Sequence, residues 1–349
     1  MNMKKYILPV LIVILVPLIS FFQYSLGPYK VLEGFAQGTT YRIIYRPAYH
    51  PLVIFSQRLV DYSDEIDSLL RSIDNTFSLY DSNSVISRIN NNDPQVEAND
   101  QMIEVFKKAL EVTIISDGAF NITVGPLVNA WGFGPIGKTH VDKFLIDSLM
   151  QFVGMDKLRL EGRKIIKALP GVKLDMNAIA QGYTVDRVGY LLENKRIKDY
   201  LVEIGGEVKT MGSKKKNAPW SIGIDRPAED NSIADRQVQD ILEVHCMSLA
   251  TSGNYRKFYM EDGVKYSHTI DPKTGYPARN RLLSVTILAS DCMTADALAT
   301  ACMVMGLEKS RLLINELEDV EAYYIYSDDD GVFRTEYTRG MEAYFQKEQ

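Results

Sequence analysis

Apolar residues recur at three- and four-residue steps in several stretches of the chain, which is the spacing that places them on one face of an α-helix. Between Ser56 and Phe77 the apolar positions are Ile66, Leu69, Leu70, Ile73 and Phe77. Gly118 and Gly306 stand just past two other apolar patterns and mark helix ends. The predicted helices occupy residues 56–77, 100–115, 177–194, 294–305 and 307–317.

Alternation of apolar and polar residues predicts strands elsewhere. One strand pair is interrupted by Gly38, and strands are expected on both sides of Gly205-Gly206. The predicted strand regions lie within 28–50, 201–203, 220–224, 240–250, 256–270, 282–290, 323–326 and 332–337. Because helices and strands are mixed without the strict alternation of a parallel sheet, the pattern predicts an α+β fold with substantial antiparallel sheet. Residues 28–349 are expected to form one compact domain.

The first 27 residues follow another pattern. Lys4 and Lys5 precede an uncharged apolar run over residues 6–22, which is typical of a secretory signal or a short membrane anchor. About 20 apolar residues are needed to span a bilayer, so both alternatives stay open. Because the basic residues stand before the run, the rest of the chain is expected on the periplasmic face, anchored to the inner membrane or secreted.

Composition excludes few classes of protein. The 349 residues are 46% hydrophobic and 24% charged, as in ordinary globular proteins. The net charge of -6 argues against a nucleic-acid binder, which is usually basic.

Two oxygen-bearing side chains stand four residues apart on a predicted helix. Asp296 and Thr300 would share one helix face, and oxygen is the ligand that Mg²⁺ prefers. The alternative is structural, with Thr294 as the N-cap and Asp296 complementing the helix dipole.

A second carboxylate stands before another predicted helix. Asp175 has apolar neighbours. Either its carboxylate points at a ligand, or the segment is structural and Asp175 or Asn177 is the N-cap of the helix. Gly182 lies inside that helix at a cost of about 1 kcal/mol relative to alanine, which indicates close approach by another element or by a ligand.

Three further segments have candidate chemistry. His268 lies in a polar, turn-forming segment beside Asp271 and is either structural or a general base. Residues 251–254 follow a strand and could hold a phosphate through backbone N–H groups. The glycine-rich stretch 125–134 around Trp131 is either a packed turn or a loop laid against a flat ring.

A series of motifs follows in a fixed order along the chain. They are Gly38-Thr39-Thr40-Tyr41, Phe77-Ser78-Leu79-Tyr80, Ile86-Ser87-Arg88-Ile89-Asn90, the stretch 118–128 with Trp131-Gly132, and the segments 174–186, 203–207, 250–256, 268–275 and 294–300. In this order the motifs resemble the ApbE family, the FAD:protein FMN transferases, and the resemblance runs from about residue 34 to 340.

The resemblance implies a T-fold-like α+β protein that binds FAD and Mg²⁺. Members of the family cut FAD and move FMN to a Thr or Ser hydroxyl of a target protein, releasing AMP. Carried over by position, the metal contacts are the main-chain oxygen of Ala178 and the side chains of Asp296 and Thr300. The flavin contacts fall at Gln37, Tyr80, Ala119, Phe120, Asn121, Asp175, Gln181 and Ile270.

The sequence departs from the family pattern at three flavin positions. Members often have Met, Asp and Lys where Gln37, Asn121 and Gln181 stand. The last change removes a positive charge that could lie near phosphate.

The implied chemistry is phosphoryl transfer, in which the partner protein supplies the hydroxyl. His268 is the candidate base and Asp271 the residue that orients it. The implied acceptors are flavoprotein subunits of membrane redox complexes. Two alternatives remain from the sequence: an FAD pyrophosphatase, in which water replaces the acceptor, and a non-catalytic periplasmic flavin-binding protein.

Overall fold

The computed structural model describes residues 29–47, 61–135, 140–214, 218–227, 237–254, 258–261 and 264–346. The apolar run 6–22 and its two lysines lie outside these ranges, so the predicted signal or anchor stays a prediction. Within the ranges, no helix has the length and apolar character needed to cross a membrane.

An eight-stranded antiparallel sheet forms the centre of the fold, with the strand order β1-β2-β5-β6-β9-β12-β13-β14. This sheet confirms the predicted α+β class with antiparallel pairing. Its strands are β1 (Lys30–Ala36), β2 (Thr39–Tyr45), β5 (Tyr200–Ile204), β6 (Glu207–Met211), β9 (Ser248–Gly253), β12 (Leu282–Ala289), β13 (Glu321–Ser327) and β14 (Phe333–Tyr337). Three two-stranded ribbons consist of β3 (Leu158–Glu161) with β4 (Lys164–Lys167), β7 (Trp220–Asp225) with β8 (Val238–Val244), and β10 (Phe258–Glu261) with β11 (Val264–Ser267).

The helices in the described ranges are α1 (Ser63–Phe77), α2 (Val85–Asn90), α3 (Asp100–Ile115), α4 (Gly125–Ala130), α5 (Lys143–Met150), α6 (Ala180–Asn194), α7 (Cys292–Met305) and α8 (Leu307–Asn315).

Two helix starts differ from the predictions. Helix α6 begins at Ala180 after the N-cap Ile179, so N-capping by Asp175 or Asn177 is wrong. The N-cap of α7 is Asp291, whose carboxylate accepts a hydrogen bond from the N–H of Thr294, so Thr294 is not the cap.

Helices α6 and α7 pack closely because small residues line their contact. A β-carbon added at Gly182 of α6 would lie 2.4 Å from the carbonyl oxygen of Cys292 and 2.8 Å from the β-carbon of Asp296. The residue that approaches Gly182 is therefore part of α7, which settles the alternative that the sequence left open. Ala295 and Ala299 of α7 are likewise fully buried.

Candidate active site

The carboxylate of Asp296 lies at the contact between α6 and α7. Its Oδ2 accepts a hydrogen bond of 3.0 Å from the N–H of Gly182, and the residue is only 6% exposed. Burial raises the pKa of Asp296 to about 7. Asp296 follows the N-cap Asp291 by five positions and so lies beyond the first turn, where a carboxylate would complement the helix dipole, so that alternative does not explain its position. The burial of the Asp296 carboxylate therefore needs a different explanation.

Thr300 lies one turn further along α7 and is half-buried. Its Oγ1 is 3.2 Å from the Oγ of Ser252 on β9, so the predicted phosphate-binding segment 251–254 begins beside this face of α7. Ala178 is half-buried in the loop that immediately precedes α6.

The residues present fit a hard divalent cation. Asp296 has no ion-pair partner in the part of the chain that the structure describes, and a buried carboxylate without a cation is costly. Its neighbours offer hydroxyl and carbonyl oxygen, the donors that Mg²⁺ prefers when water and substrate phosphate complete its shell. The same described ranges contain no group of three or more His, Cys, Asp or Glu side chains that could hold a metal alone. The residues that would hold such a cation are Asp296, Thr300 and, through its main-chain oxygen, Ala178.

Gln181 lies in the first turn of α6, and the side chain of Gln37, in the turn between β1 and β2, reaches the same helix. The Nε2 of Gln181 donates to the carbonyl oxygen of Ile204 at 2.8 Å, and the Nε2 of Gln37 donates to the hydroxyl of Thr184 at 2.7 Å. Gly205 has a φ of +66°, and a β-carbon there would lie 1.6 Å from the Nε2 of Gln181. The amide of Gln181 thus closes the turn between β5 and β6.

Asp175 lies beside the segment that follows α3. Its main-chain N–H donates to the carbonyl oxygen of Ile122 at 2.7 Å, and its Oδ1 accepts from the N–H of Asn177 at 2.9 Å. Burial raises the pKa of Asp175 above its usual value. The predicted contacts Ala119 and Phe120 are buried three and two residues before Ile122 in the same segment.

The side chain of Asn121 is turned toward its own chain. Its Oδ1 accepts hydrogen bonds from the main-chain N–H and the hydroxyl of Thr123, at 2.9 and 2.6 Å. The side-chain amide group of Asn121 keeps its donor available for a ligand, whereas an aspartate at this position would have no donor.

The segment 268–275 forms a tight turn that packs on the glycine-rich stretch 125–134. The indole N–H of Trp131 donates to the carbonyl oxygen of Gly275 at 2.9 Å, and Ile270 is buried in the same apolar cluster. The ring of His268 meets Phe133 edge to face at a centroid distance of 6.3 Å. The first part of this stretch is helix α4, and the turn that follows it, at 131–134, packs on the histidine segment and supports it.

Asp271 has a structural role in that turn. Its Oδ1 accepts from the N–H of Lys273 at 2.8 Å and its Oδ2 from the hydroxyl of Thr274 at 3.1 Å. These bonds account for both carboxylate oxygens, so the hypothesis that Asp271 orients His268 gains no support from the geometry.

Tyr80 is the most exposed of the predicted flavin contacts. The residue is 80% exposed, and its N–H donates to the hydroxyl of Ser78 in its own turn. An exposed aromatic ring can stack on a flat ligand, but the described contacts do not tie Tyr80 to the other predicted residues.

A cavity of about 430 Å³ lies close to these residues. It lies between the ends of β9, β11 and β12, and its lining residues are Asn254, Ser267, Ala278, Arg279, Asn280 and Leu283. Two polar atoms in its wall, the Oδ1 of Asn254 and the Oγ of Ser267, are buried and have no hydrogen-bond partner among the residues that the structure describes. Three connections place the cavity near the site: Ser267 adjoins His268, Asn254 follows Ser252 by two residues, and Asn280 donates to the carbonyl oxygen of Met303 on α7.

Comparison with known proteins gives these residues a context. The sequence pattern of the ApbE family matches residues 37–324. The chain belongs to the ApbE family. A Vibrio cholerae relative named FAD:protein FMN transferase is 39% identical over 305 residues, which cover 86% of this chain and 88% of that protein. A Haemophilus influenzae protein of the same name is 34% identical over 309 residues, covering 86% of this chain and 87% of that protein.

A solved structure shows the same fold. The flavin transferase ApbE from Vibrio cholerae superposes with a TM-score of 0.79 at 36% identity, over 91% of this chain and 100% of that chain. The predicted membership of the ApbE family and the predicted α+β fold are thus confirmed, while the individual site residues stay predictions.

Sequence reasoning missed two contacts of the candidate site. The N–H of Gly182 holds the Asp296 carboxylate, and the hydroxyl of Ser252 faces Thr300. The first contact had a signal in the sequence, because glycine is unfavourable inside a helix and Gly182 lies inside one. The second had no signal, because it depends on β9 meeting α7 across a long separation in sequence.

Proposed function

We propose that this chain is an FAD:protein FMN transferase that moves FMN from FAD to a Thr or Ser hydroxyl of a target flavoprotein and releases AMP. The observation that carries the proposal is the buried Asp296 carboxylate, which has no protein cation in the described ranges and lies one turn from Thr300 in an ApbE-family chain. A protein that only stores flavin has no need to bury an uncompensated carboxylate there.

In the proposed reaction, the acceptor hydroxyl oxygen bonds to the FMN phosphorus and the bond from that phosphorus to the bridging oxygen breaks, so AMP leaves. Asp296, Thr300 and the main-chain oxygen of Ala178 would hold Mg²⁺, which when bound supplies positive charge to the pyrophosphate oxygens. His268 takes the proton of the acceptor hydroxyl. The partner protein supplies the nucleophile, so this chain needs none.

The remaining predicted residues bind the flavin half of FAD. Asp175 and the segment 119–121 lie side by side, and Ile270 is held against Trp131 next to His268. Gln37 and Gln181 fix the turns around the start of α6. The exposed ring of Tyr80 is available to stack on the isoalloxazine.

An in-gel assay separates the transferase from its two alternatives. The chain, FAD, Mg²⁺ and a candidate acceptor are incubated, denatured and separated, and flavin fluorescence is read on the acceptor band. The transferase predicts fluorescence that survives denaturation. A pyrophosphatase would give free FMN and AMP without a labelled band, and a binding protein would return intact FAD.

The cavity is proposed to receive the segment of the acceptor protein that adjoins the reacting Thr or Ser hydroxyl. Its two unpartnered oxygen atoms can accept hydrogen bonds, and main-chain N–H groups of a polypeptide supply such donors. Asn254→Ala and Ser267→Ala are each expected to raise the KM for the acceptor roughly threefold to tenfold, about the contribution of one hydrogen bond.

The matched control for these variants is Ser248→Ala. The hydroxyl of Ser248 is also buried without a partner, but Ser248 stands at the other end of β9 and does not line the cavity. An unchanged acceptor KM in both cavity variants, or an equal rise in the control, would remove the cavity from the account.

Export is proposed from residues 1–27. Because Lys4 and Lys5 precede the apolar run 6–22, the catalytic domain is expected outside the cytoplasm. A reporter that is active only in the cytoplasm, fused to the C-terminus, is expected to give no signal. A strong signal would reverse this topology. Acceptors that meet the enzyme there would be flavoprotein subunits of membrane redox complexes.

A further inference from the structure

Helix α6 contacts α7 at a second point, one turn beyond Gly182. The carboxylate of Asp186 accepts hydrogen bonds from the N–H groups of Cys292, at 3.1 Å, and Met293, at 2.9 Å. These are the first two residues of α7. Asp186 is 3% exposed, so both bonds lie inside the protein.

The buried carboxylate is paired with a buried lysine. The Nζ of Lys209 on β6 lies 2.9 Å from the Oδ1 of Asp186, and both side chains are almost inaccessible to solvent. The N-terminus of a helix favours a negative charge because its N–H groups lack partners within the helix. Lys209 compensates the charge that Asp186 brings to this position.

The two contacts between the helices have matching spacing. Gly182 is hydrogen-bonded to Asp296, and Asp186, four residues later on α6, is hydrogen-bonded to Cys292, four residues earlier on α7. One turn of α6 therefore contacts one turn of α7, and the two helices run in opposite directions. A helix rises 1.5 Å per residue and rotates by a fixed angle at each step. Fixing the first residues of α7 therefore fixes the height and the rotation at which the Asp296 carboxylate is presented.

We propose that Asp186, compensated by Lys209, is a positioning residue that sets the Asp296 carboxylate for divalent cation binding. The inference rests on the function proposed above, because it assumes that Asp296 holds Mg²⁺. Neither Asp186 nor Lys209 is among the residues predicted to touch FAD or the metal. Their contribution acts through the placement of α7.

The test is the affinity of the full chain for Mg²⁺ after Asp186→Asn. Asparagine offers one acceptor oxygen in place of two, so α7 loses a hydrogen bond, and Lys209 loses its counter-charge. The dissociation constant for Mg²⁺, measured by calorimetry with FAD present, is expected to rise roughly 10- to 100-fold, the usual range for residues that orient metal ligands. Transfer at saturating Mg²⁺ is expected to recover most of the wild-type rate.

Asp199→Asn is the matched control. Asp199 forms another largely buried ion pair, with Arg46 at 3.6 Å, at the end of β5 away from Gly205. Its loss is expected to lower the melting temperature without changing the dissociation constant for Mg²⁺. A merely structural role for Asp186 predicts the same behaviour in both variants.

Lys209→Met tests the positioning role of Asp186 if the Asp186→Asn protein does not fold. It leaves both hydrogen bonds of Asp186 to α7 and removes only the compensating charge, so a smaller rise of the Mg²⁺ dissociation constant in the same direction is expected. A value within about twofold of wild type in the folded variant, well below the expected range, would overturn the positioning role. Wild-type protein that binds no Mg²⁺ with FAD would instead overturn the proposed metal site itself.

Discussion

Asp296→Ala is expected to abolish FMN transfer while leaving the fold intact. The side chain is buried and accepts one hydrogen bond from Gly182, so its removal also removes an uncompensated carboxylate from the interior. Loss of the only charged metal ligand predicted here is expected to slow transfer about 10³-fold or more, because metal-ion stabilisation contributes several kcal/mol. Chelation of Mg²⁺ with EDTA should reproduce this loss in the wild type.

The pH dependence of Mg²⁺ binding provides a second readout of Asp296. Burial raises its pKa from 3.8 to about 7 in the metal-free fold. The protonated carboxyl is thus favoured in the fold, and its contribution to stability is present at low pH and is lost as pH rises through about 7. Because Mg²⁺ needs the ionised form, its affinity should fall about tenfold for each pH unit below this pKa.

Asp74→Ala serves as the control for Asp296→Ala. Asp74 is another carboxyl whose pKa is raised by burial, but it lies on α1. Its loss should leave both the transfer rate and the Mg²⁺ requirement unchanged. Full activity of the Asp296→Ala protein without added metal would contradict the metal assignment.

His268→Ala is expected to slow transfer about 10²- to 10⁴-fold while FAD still binds, the usual contribution of a general base. The packing of the histidine ring on Phe133 keeps it beside the buried Ile270. The measurement is a single-turnover assay at saturating FAD, paired with a binding titration of the same variant. A loose phosphoryl-transfer transition state needs little help from a base. A large loss of rate would therefore support His268 as the base, and a small loss would indicate that the step needs none.

Asp271→Ala is the comparison for His268→Ala. Asp271 holds its turn through Lys273 and Thr274, so its loss should weaken FAD binding and thermal stability together with the rate. If His268→Ala shows that same combination, the histidine is structural. A transfer rate within about threefold of wild type, below the general-base range, would move the search for a base to Asp175.

The long elements of this fold could be predicted because their apolar periods are strong. Helix α3 has the predicted bounds, and the terminal hairpin of β13 and β14 forms as expected. Residues 240–250 were predicted as one strand, but the chain bends between β8 and β9, where Cys246 has a φ of +49°. The short helices α2, α4 and α5 and the ribbon of β3 and β4 were missed, because elements this short have too few residues to show a period.

The site was predictable where chemistry is local and unpredictable where it depends on distant contacts. The four-residue spacing of Asp296 and Thr300 places both on one face of α7. The N–H of Gly182, the hydroxyl of Ser252 and the carboxylate of Asp186 meet α7 only after the fold brings remote segments together. The local pattern alone left the role of Asp296 and Thr300 ambiguous, and the resemblance to the ApbE family is the reason to predict that they bind a metal.

The central claim is that this chain attaches FMN to another protein at the expense of FAD. The most direct test is mass spectrometry of a flavoprotein subunit of a membrane redox complex after incubation with the chain, FAD and Mg²⁺, with AMP measured in the same sample. The account predicts one FMN group on a Thr or Ser residue, one AMP released for each group attached, and no addition when EDTA is present. FMN and AMP released together from FAD, with the subunit unmodified, would contradict it.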